Sequence, residues 1–353
     1  MSKKEINAAQ EPLIAYTTPK ARIKKALLSW EAFLFLLIVL EFVIFGTANP
    51  RFLMTRVIFG SLNDVMPVCI ISLFVTFVLI TGGIDIQAAS ILGLTSITIG
   101  VGWQDFGLNI WVAAAIGLVF AVGCGALSGF FIAYCGVQAM VITLGGSFLY
   151  AGIALLISNL SQSAAYQGIS GFPEYFTFVG KYKIGGVVPI QLVIFIILAV
   201  IAYLLLHKTK YGRRVFLVGT NKEAAEYCGI NTRWTIMSTY MLSGLAAGIA
   251  GIITTAYVGS SKCDLGSTTT MSIITAVVLG GTLSTGGKGS IVGTALAALV
   301  VGILRFGLPL AFRVNSQYLD VPVGLLLIAV VVGRAVISSP TVQNLRARRK
   351  KKA

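Results

Sequence analysis

"GTNKEAAEYCGIN", residues 219–231, separates two long apolar runs, "VVPIQLVIFIILAVIAYLLL" (187–206) and "TIMSTYMLSGLAAGIAGIITTAYV" (235–258). Each run is long enough to cross about 30 Å of hydrocarbon as a helix, so the polar island between them lies in water. The same alternation of apolar blocks and short polar breaks runs along the whole chain. Of its 353 residues 56% are hydrophobic and 11% charged, where a soluble domain carries about 25% charged residues. Candidate spans fall at 27–46, 57–80, 84–102, 109–135, 139–159, 187–206, 235–258, 269–284, 290–311 and 319–337. All must be helices, because an open sheet cannot satisfy its backbone in lipid. The expected fold is an all-α polytopic integral membrane protein of about ten transmembrane helices. A basic tail (1–26) precedes the transmembrane domain (27–337, with the polar loop at 207–234), and a second basic tail (338–353) follows it.

The net charge of +15 gathers at segment ends. Lys3, Lys4, Lys20, Arg22, Lys24 and Lys25 precede the first span; Lys208, Lys210, Arg213, Arg214, Lys222 and Arg233 surround the polar island; Arg346, Arg348, Arg349, Lys350, Lys351 and Lys352 close the chain. With ten spans these clusters share one side, which the positive-inside rule makes the cytoplasm, placing both termini there. Nine or eleven spans would split them. The opposite loops hold mainly Arg51, Arg56, Lys181, Lys183, Lys262 and Arg313. This pattern explains the charge by membrane topology and sets nucleic acid aside as a partner. Five scattered cysteines, Cys69, Cys124, Cys135, Cys228 and Cys263, fit neither a disulfide framework nor a metal site and are expected as small apolar fillers. The loop "SQSAAYQGISGFPEYFTFVGKYKIGG" (161–186) is a connection, a short interfacial helix or a surface for a periplasmic partner.

Several motifs imitate chemistry. "GGTLSTGGKGS" (280–290) places Lys288 after Gly287, but Thr282 stands where a phosphate-binding loop needs its first glycine, and Gly289 where it needs a hydroxyl. A tight turn between helices accounts for it, and this chain is not expected to hydrolyse ATP by itself. The one histidine, His207, lies at a span boundary with no triad or metal-ligand pattern nearby. Neither a catalytic group nor a metal site is expected. Three G-x-x-x-G pairs, Gly125–Gly129, Gly244–Gly248 and Gly289–Gly293, predict close helix packing.

"LITGGIDIQAASILGL" (79–94) breaks an apolar run with Gly82 and Gly83, then sets Asp85 and Gln87 before a new run. Gly280 and Gly281 break a later run similarly. Glycine-broken segments in two halves of a transporter often sit near the transport path. Asp85 is either a functional membrane-embedded carboxylate or a helix N-cap at the membrane edge. With Asn63, Asp64, Gly82, Gly83 and Gln87 it forms a candidate substrate path; Glu41, Arg305 and Asp320 are further polar residues in or beside spans.

Within the polar island Thr220 and Glu223 spell T-x-x-E, a capping box with Thr220 as N-cap. Residues Lys222–Cys228 favour helix and Gly229 stops it. The predicted helix has about two turns, with Ala224, Ala225, Tyr227 and Cys228 as contact surface and Lys222, Glu223 and Glu226 as charge around it. A helix this short is marginal alone, which leaves an idle loop helix or a docking knob for a cytoplasmic protein.

The text "GRRVFLVGTNKEAAEYCGIN" (212–231) resembles the cytoplasmic loop of permeases from ribose-type bacterial ABC importers. "ITGGIDIQAASILGL" (80–94) is similar to that family's G-G-I-D-L-S-V-G-S segment, with Gln87, Ala88 and Ala89 in place of Ser, Val and Gly, and "ITAVVLGG" (274–281) to its third signature. The likeness runs from Leu28 to Val336. It implies that residues Thr220, Asn221, Lys222, Glu223, Ala224, Ala225, Glu226, Tyr227, Cys228 and Gly229 form a coupling helix seated in an ATPase. It also implies a second permease subunit, identical or different, a cytoplasmic ABC ATPase that binds ATP and magnesium, and a periplasmic solute-binding protein. The location would be the bacterial inner membrane, in contact with lipid, with no cofactor in this chain. "FGTANPRFL", "GISGFP", "LHKTKYGRRVFLVG" and "DLGSTTTMSIITAVVLGG" are similar to the autoinducer-2 importing branch; import of ribose, rhamnose or another monosaccharide is the alternative substrate reading. From another class, an ion-coupled secondary transporter would place ionisable groups deep in the bundle and need no docking helix.

Overall fold

A computed structural model describes residues 30–161, 167–315 and 318–338. The tail 1–26, nearly all of the tail 338–353 and the basic clusters within them lie outside the described residues, as does part of the 161–186 loop. Thirteen helices follow in order: α1 Trp30–Ala48, α2 Thr55–Ile80, α3 Ala88–Gln104, α4 Ile110–Ala133, α5 Ala139–Ser158, α6 Glu174–Lys181, α7 Ile190–Lys208, α8 Lys210–Thr220, α9 Lys222–Tyr227, α10 Thr232–Val258, α11 Thr270–Leu279, α12 Ile291–Phe312 and α13 Asp320–Ser338. Every predicted span overlaps one of them. Seven are long and apolar enough to cross a membrane: α1, α2, α4, α5, α7, α10 and α12.

The short ones have identifiable causes. Gly82 (φ +81°) ends the turn after α2, and residues 83–86 run without helix, so α3 begins at Ala88 and not at 84. Gly280 caps α11 and Gly281 (φ +104°) turns the chain away. The predicted span 269–284 therefore holds only ten helical residues, which rise about 15 Å, half the hydrocarbon thickness.

α2 is the central post. Nearly all of its most apolar window is buried, and it packs against α7, α10, α11 and α12. Two of the three G-x-x-x-G pairs meet at the α4–α10 crossing. A Cβ on Gly125 would strike the Tyr240 carbonyl, and one on Gly244 the Ala121 carbonyl; one on Gly129 would come to 2.9 Å from the Met237 Cα. Van der Waals packing at this separation holds helices together in lipid, where no hydrophobic gain is available. The third pair differs: Gly289 lies in a turn, and Gly293 of α12 packs on the Gly280 carbonyl.

Two small antiparallel pairs tie the loops, β1 (Ile169–Ser170) with β4 (Ser260–Ser261) and β2 (Lys183–Ile184) with β3 (Val188–Pro189). Between β1 and β2, α6 docks on the end of α10. Its Gly180 is pressed against Tyr257, while its carbonyl accepts from Gln191 Nε2 at 3.1 Å.

Candidate functional site

The polar loop folds as two helices in series, where the sequence pattern suggested one. α7 continues through His207, whose ring lies between Tyr203 and Phe216 with centroids at 5.0 and 5.9 Å. The chain then turns sharply: Thr209 caps α8 by accepting from the Gly212 amide at 3.2 Å, and Gly212 packs so tightly on the Leu206 carbonyl that no side chain fits. α8 buries Val215 and Val218 and exposes Arg213, Arg214 and Leu217. The Tyr211 hydroxyl, 2.8 Å from Ser238 Oγ, fastens it to α10. Burial pushes that hydroxyl up to about 12, so the fastening survives across physiological pH.

The cap of α9 corrects the sequence expectation. Thr220 is the last residue of α8 and its hydroxyl donates back to the Phe216 carbonyl at 2.8 Å. Asn221, extended at φ −159°, is the N-cap, and its Oδ1 accepts from the Ala224 amide at 2.9 Å. An N-cap must leave helical geometry, which Thr220, being inside α8, cannot do. Glu223 remains in the first turn, favourable beside the helix dipole. The expected stop at Gly229 is observed: at φ +76° its amide donates to Glu226 O (2.9 Å), while Ile230 donates to Ala225 O (3.1 Å). These two bonds make a Schellman motif, with Ile230 and Ala225 as its apolar contact.

α9 is thus clamped at both ends and presents two faces. Inward, Ala225 is buried among Val78, Val218, Ile236 and Tyr240 and is unavailable to a partner, contrary to the expected contact surface. The Glu226 carboxylate accepts from the Thr232 hydroxyl. Outward stand Lys222, Glu223, Ala224, Tyr227 and Cys228, with Tyr227 93% exposed.

Immediately before α9 three separate motifs converge. The Gly287 amide donates to the Ile80 carbonyl at 2.8 Å. A Cβ on Gly219 would collide with that same carbonyl and lie 2.8 Å from the Gly287 nitrogen. Gly286 and Gly287 hold positive φ (+86° and +77°), and a Cβ on Gly287 would meet Thr220 Oγ1 at 2.9 Å. The end of α2, the α8–α9 corner and the glycine-rich turn therefore share one backbone junction. The turn closes on itself through Leu283 N to Lys288 O at 3.0 Å. No periodicity could pair these segments; the only trace in the sequence is glycine at 219, 286 and 287.

The six candidate path residues do not form one site. Asn63 and Asp64 lie 16 or 17 residues before the end of α2, about 25 Å from Gly82 along the helix. Gly82, Gly83, Asp85 and Gln87 follow the junction. Asp85 stands two residues ahead of Gln87, the N-cap of α3, so it is not itself the cap. It is buried, and while Oδ1 accepts from the Gln87 amide at 3.1 Å just before α3, Oδ2 accepts from Ser243 of α10 at 2.6 Å. Gln87 Oε1 accepts from Ser128 at 2.7 Å, and Ser128 lies 3.0 Å from the Tyr150 hydroxyl. These bonds tie the unwound segment 83–87 to α4, α5 and α10. Among the described residues no group of acidic, histidine and cysteine side chains could hold a metal.

A family model described as branched-chain amino acid transport system / permease component matches residues 57–331. The autoinducer 2 import system permease protein LsrD of Photorhabdus temperata is 43% identical over 309 residues, covering 87% of this chain and 91% of the relative. LsrD of Enterobacter sp. strain 638 is 40% identical over 309 residues (88% and 94%), and that of Salmonella typhimurium 41% over 308 residues (87% and 92%). No solved structure matches the chain. With a helical membrane bundle built around two glycine-broken segments, and a family match that spans most of its length, the chain belongs to this family of transport-system permease components.

Proposed function

We propose that the chain is the membrane subunit of an ATP-driven importer of a small polyhydroxylated solute, autoinducer-2 foremost, in the bacterial inner membrane. In this reading both termini and residues 209–231 face the cytoplasm, and α9 seats in an ABC ATPase. A second permease subunit and a periplasmic solute-binding protein complete the assembly; ATP and magnesium belong to the ATPase.

The observation that carries the coupling role is the double-faced α9. Its outer face is open to a partner, and its inner face and N-terminal corner are built into the junction of both glycine-broken segments. Force on the outer face reaches α2 and the 280–290 turn through backbone contacts. Interfaces of this kind are bistable rather than continuously deformable, so a small shift can switch a bundle between two arrangements. The solute assignment follows the autoinducer-2 import function of the relatives, 40–43% identical along nearly the whole chain. The test is uptake of labelled autoinducer-2 by proteoliposomes holding the complete transporter. Uptake is expected only with ATP and the binding protein; uptake driven by an ion gradient without ATP would overturn the reading.

A further inference from the structure

α2 carries a carboxylate ten residues into its 26-residue length, at Asp64. A charge at that depth is costly in lipid and is found where it faces a cavity or another polar group. The residues that follow it in α2 are buried, yet Asp64 is exposed, and it lines a cavity of about 350 Å³. The opposite walls bring Thr269 and Ser272 from the start of α11, Arg305 and Phe306 from α12, and Leu319 ahead of α13. Two wall groups are buried without a hydrogen-bond partner, the Ser272 hydroxyl, on a residue with no exposed surface, and the Arg305 Nε. Buried polar atoms are nearly always satisfied, so orphans gathered on one cavity mark where a ligand's own polar groups belong.

We infer that this cavity is a stopping place for the transported solute, and that it takes a neutral molecule of sugar size bearing several hydroxyls. The size is at the lower end for small-molecule sites, about 300–1,000 Å³. The chemistry selects the class. Asp64 accepts, the Arg305 Nε donates, and Ser272 does either, matching hydroxyl groups that both donate and accept. Phe306, stacked on Phe52 with centroids 5.5 Å apart, supplies an apolar wall for carbon faces. One terminal nitrogen of the Arg305 guanidinium is paired with Asp320, which leaves its Nε for the cavity. Asp64 lies 16 residues before Ile80, about 24 Å from the α9 junction, in the half of the bundle where an imported solute enters.

This inference rests on the transport reading above, and the experiment separates the two. The complete importer is reconstituted with its binding protein, and the KM and maximal rate for labelled autoinducer-2 are measured for wild type, Asp64→Asn and the double variant Thr269→Val with Ser272→Ala. Assembly and basal ATPase activity are checked for each. Both variants are expected to assemble and to lose uptake efficiency about tenfold or more, the loss expected when hydrogen bonds to a hydroxyl, one of them charge-assisted, are removed. Labelled leucine should not enter. Variants that assemble and transport with unchanged KM and rate would overturn the cavity's role while leaving the transport reading intact. If Asp64→Asn does not assemble, the double variant decides on the same readout. Wild-type uptake that needs no ATP would sink the transport reading instead, and leucine uptake lost in Asp64→Asn would keep the site but refute the polyol class.

Discussion

Gly219→Ala is the sharpest perturbation of the α9 junction. The added methyl would overlap the Ile80 carbonyl oxygen, a backbone atom that no rotamer change can move aside, and crowd the Gly287 nitrogen. Relief requires the α8–α9 corner to back away from α2 by roughly an ångström, an overpacking cost of about 1–3 kcal/mol. The same displacement opens the Gly287 N–Ile80 O hydrogen bond of 2.8 Å, worth about 1 kcal/mol more. Together these shift the balance between closed and open junction by roughly thirty- to eight-hundred-fold. The assay is the ratio of ATP hydrolysed to solute imported in proteoliposomes, with assembly and thermal stability checked first. Gly152→Ala, where a methyl meets open space, is the control and should behave as wild type. Gly219→Ala should hydrolyse ATP while importing at least about tenfold less solute per ATP. Wild-type stoichiometry in an assembled Gly219→Ala importer would refute transmission through this junction.

Three further outcomes follow from the geometry. Asn221→Ala should weaken α9 by about 1 kcal/mol while Thr220→Ala does so by much less, read as faster hydrogen exchange at the Ala224 amide in the first variant only. Tyr227→Ala, at a 93% exposed position, should leave the thermal stability of the subunit unchanged yet reduce co-purification of the ATPase; normal co-purification would argue that α9 is idle. Gly244→Ala should separate α4 from α10 and lower thermal stability by about 1–3 kcal/mol, whereas an unchanged melting temperature would contradict the crossing described.

The spans were legible because hydrocarbon imposes length and composition on each segment independently of its neighbours. Even the exceptions were marked, since Gly82 and Gly281 sit where α2 and α11 give way to irregular backbone. The stop of α9 at Gly229 was legible for the same local reason. Its start was not: T-x-x-E at 220–223 is a genuine capping pattern, and only the helix that already occupies Thr220 transfers the cap to Asn221. The junction itself was out of reach, because Ile80, Gly219 and Gly287 meet through backbone atoms that carry no side-chain signature. The separation of Asp64 from Asp85 was available in principle from helix rise alone, since 16 residues of one continuous apolar helix follow Asp64 before the chain breaks ahead of Asp85.

The coupling role requires residues 219–231 to face the cytoplasm, and Cys228, exposed at the tip of α9, reports this directly. In a Cys135→Ser background, which removes the other exposed thiol among the described residues, a membrane-impermeant thiol reagent is applied to right-side-out and inside-out vesicles. Labelling of Cys228 in inside-out vesicles alone, blocked when the ATPase is bound, is the expected result. Labelling from the outer face alone would place α9 beyond the reach of any cytoplasmic motor and contradict the coupling role.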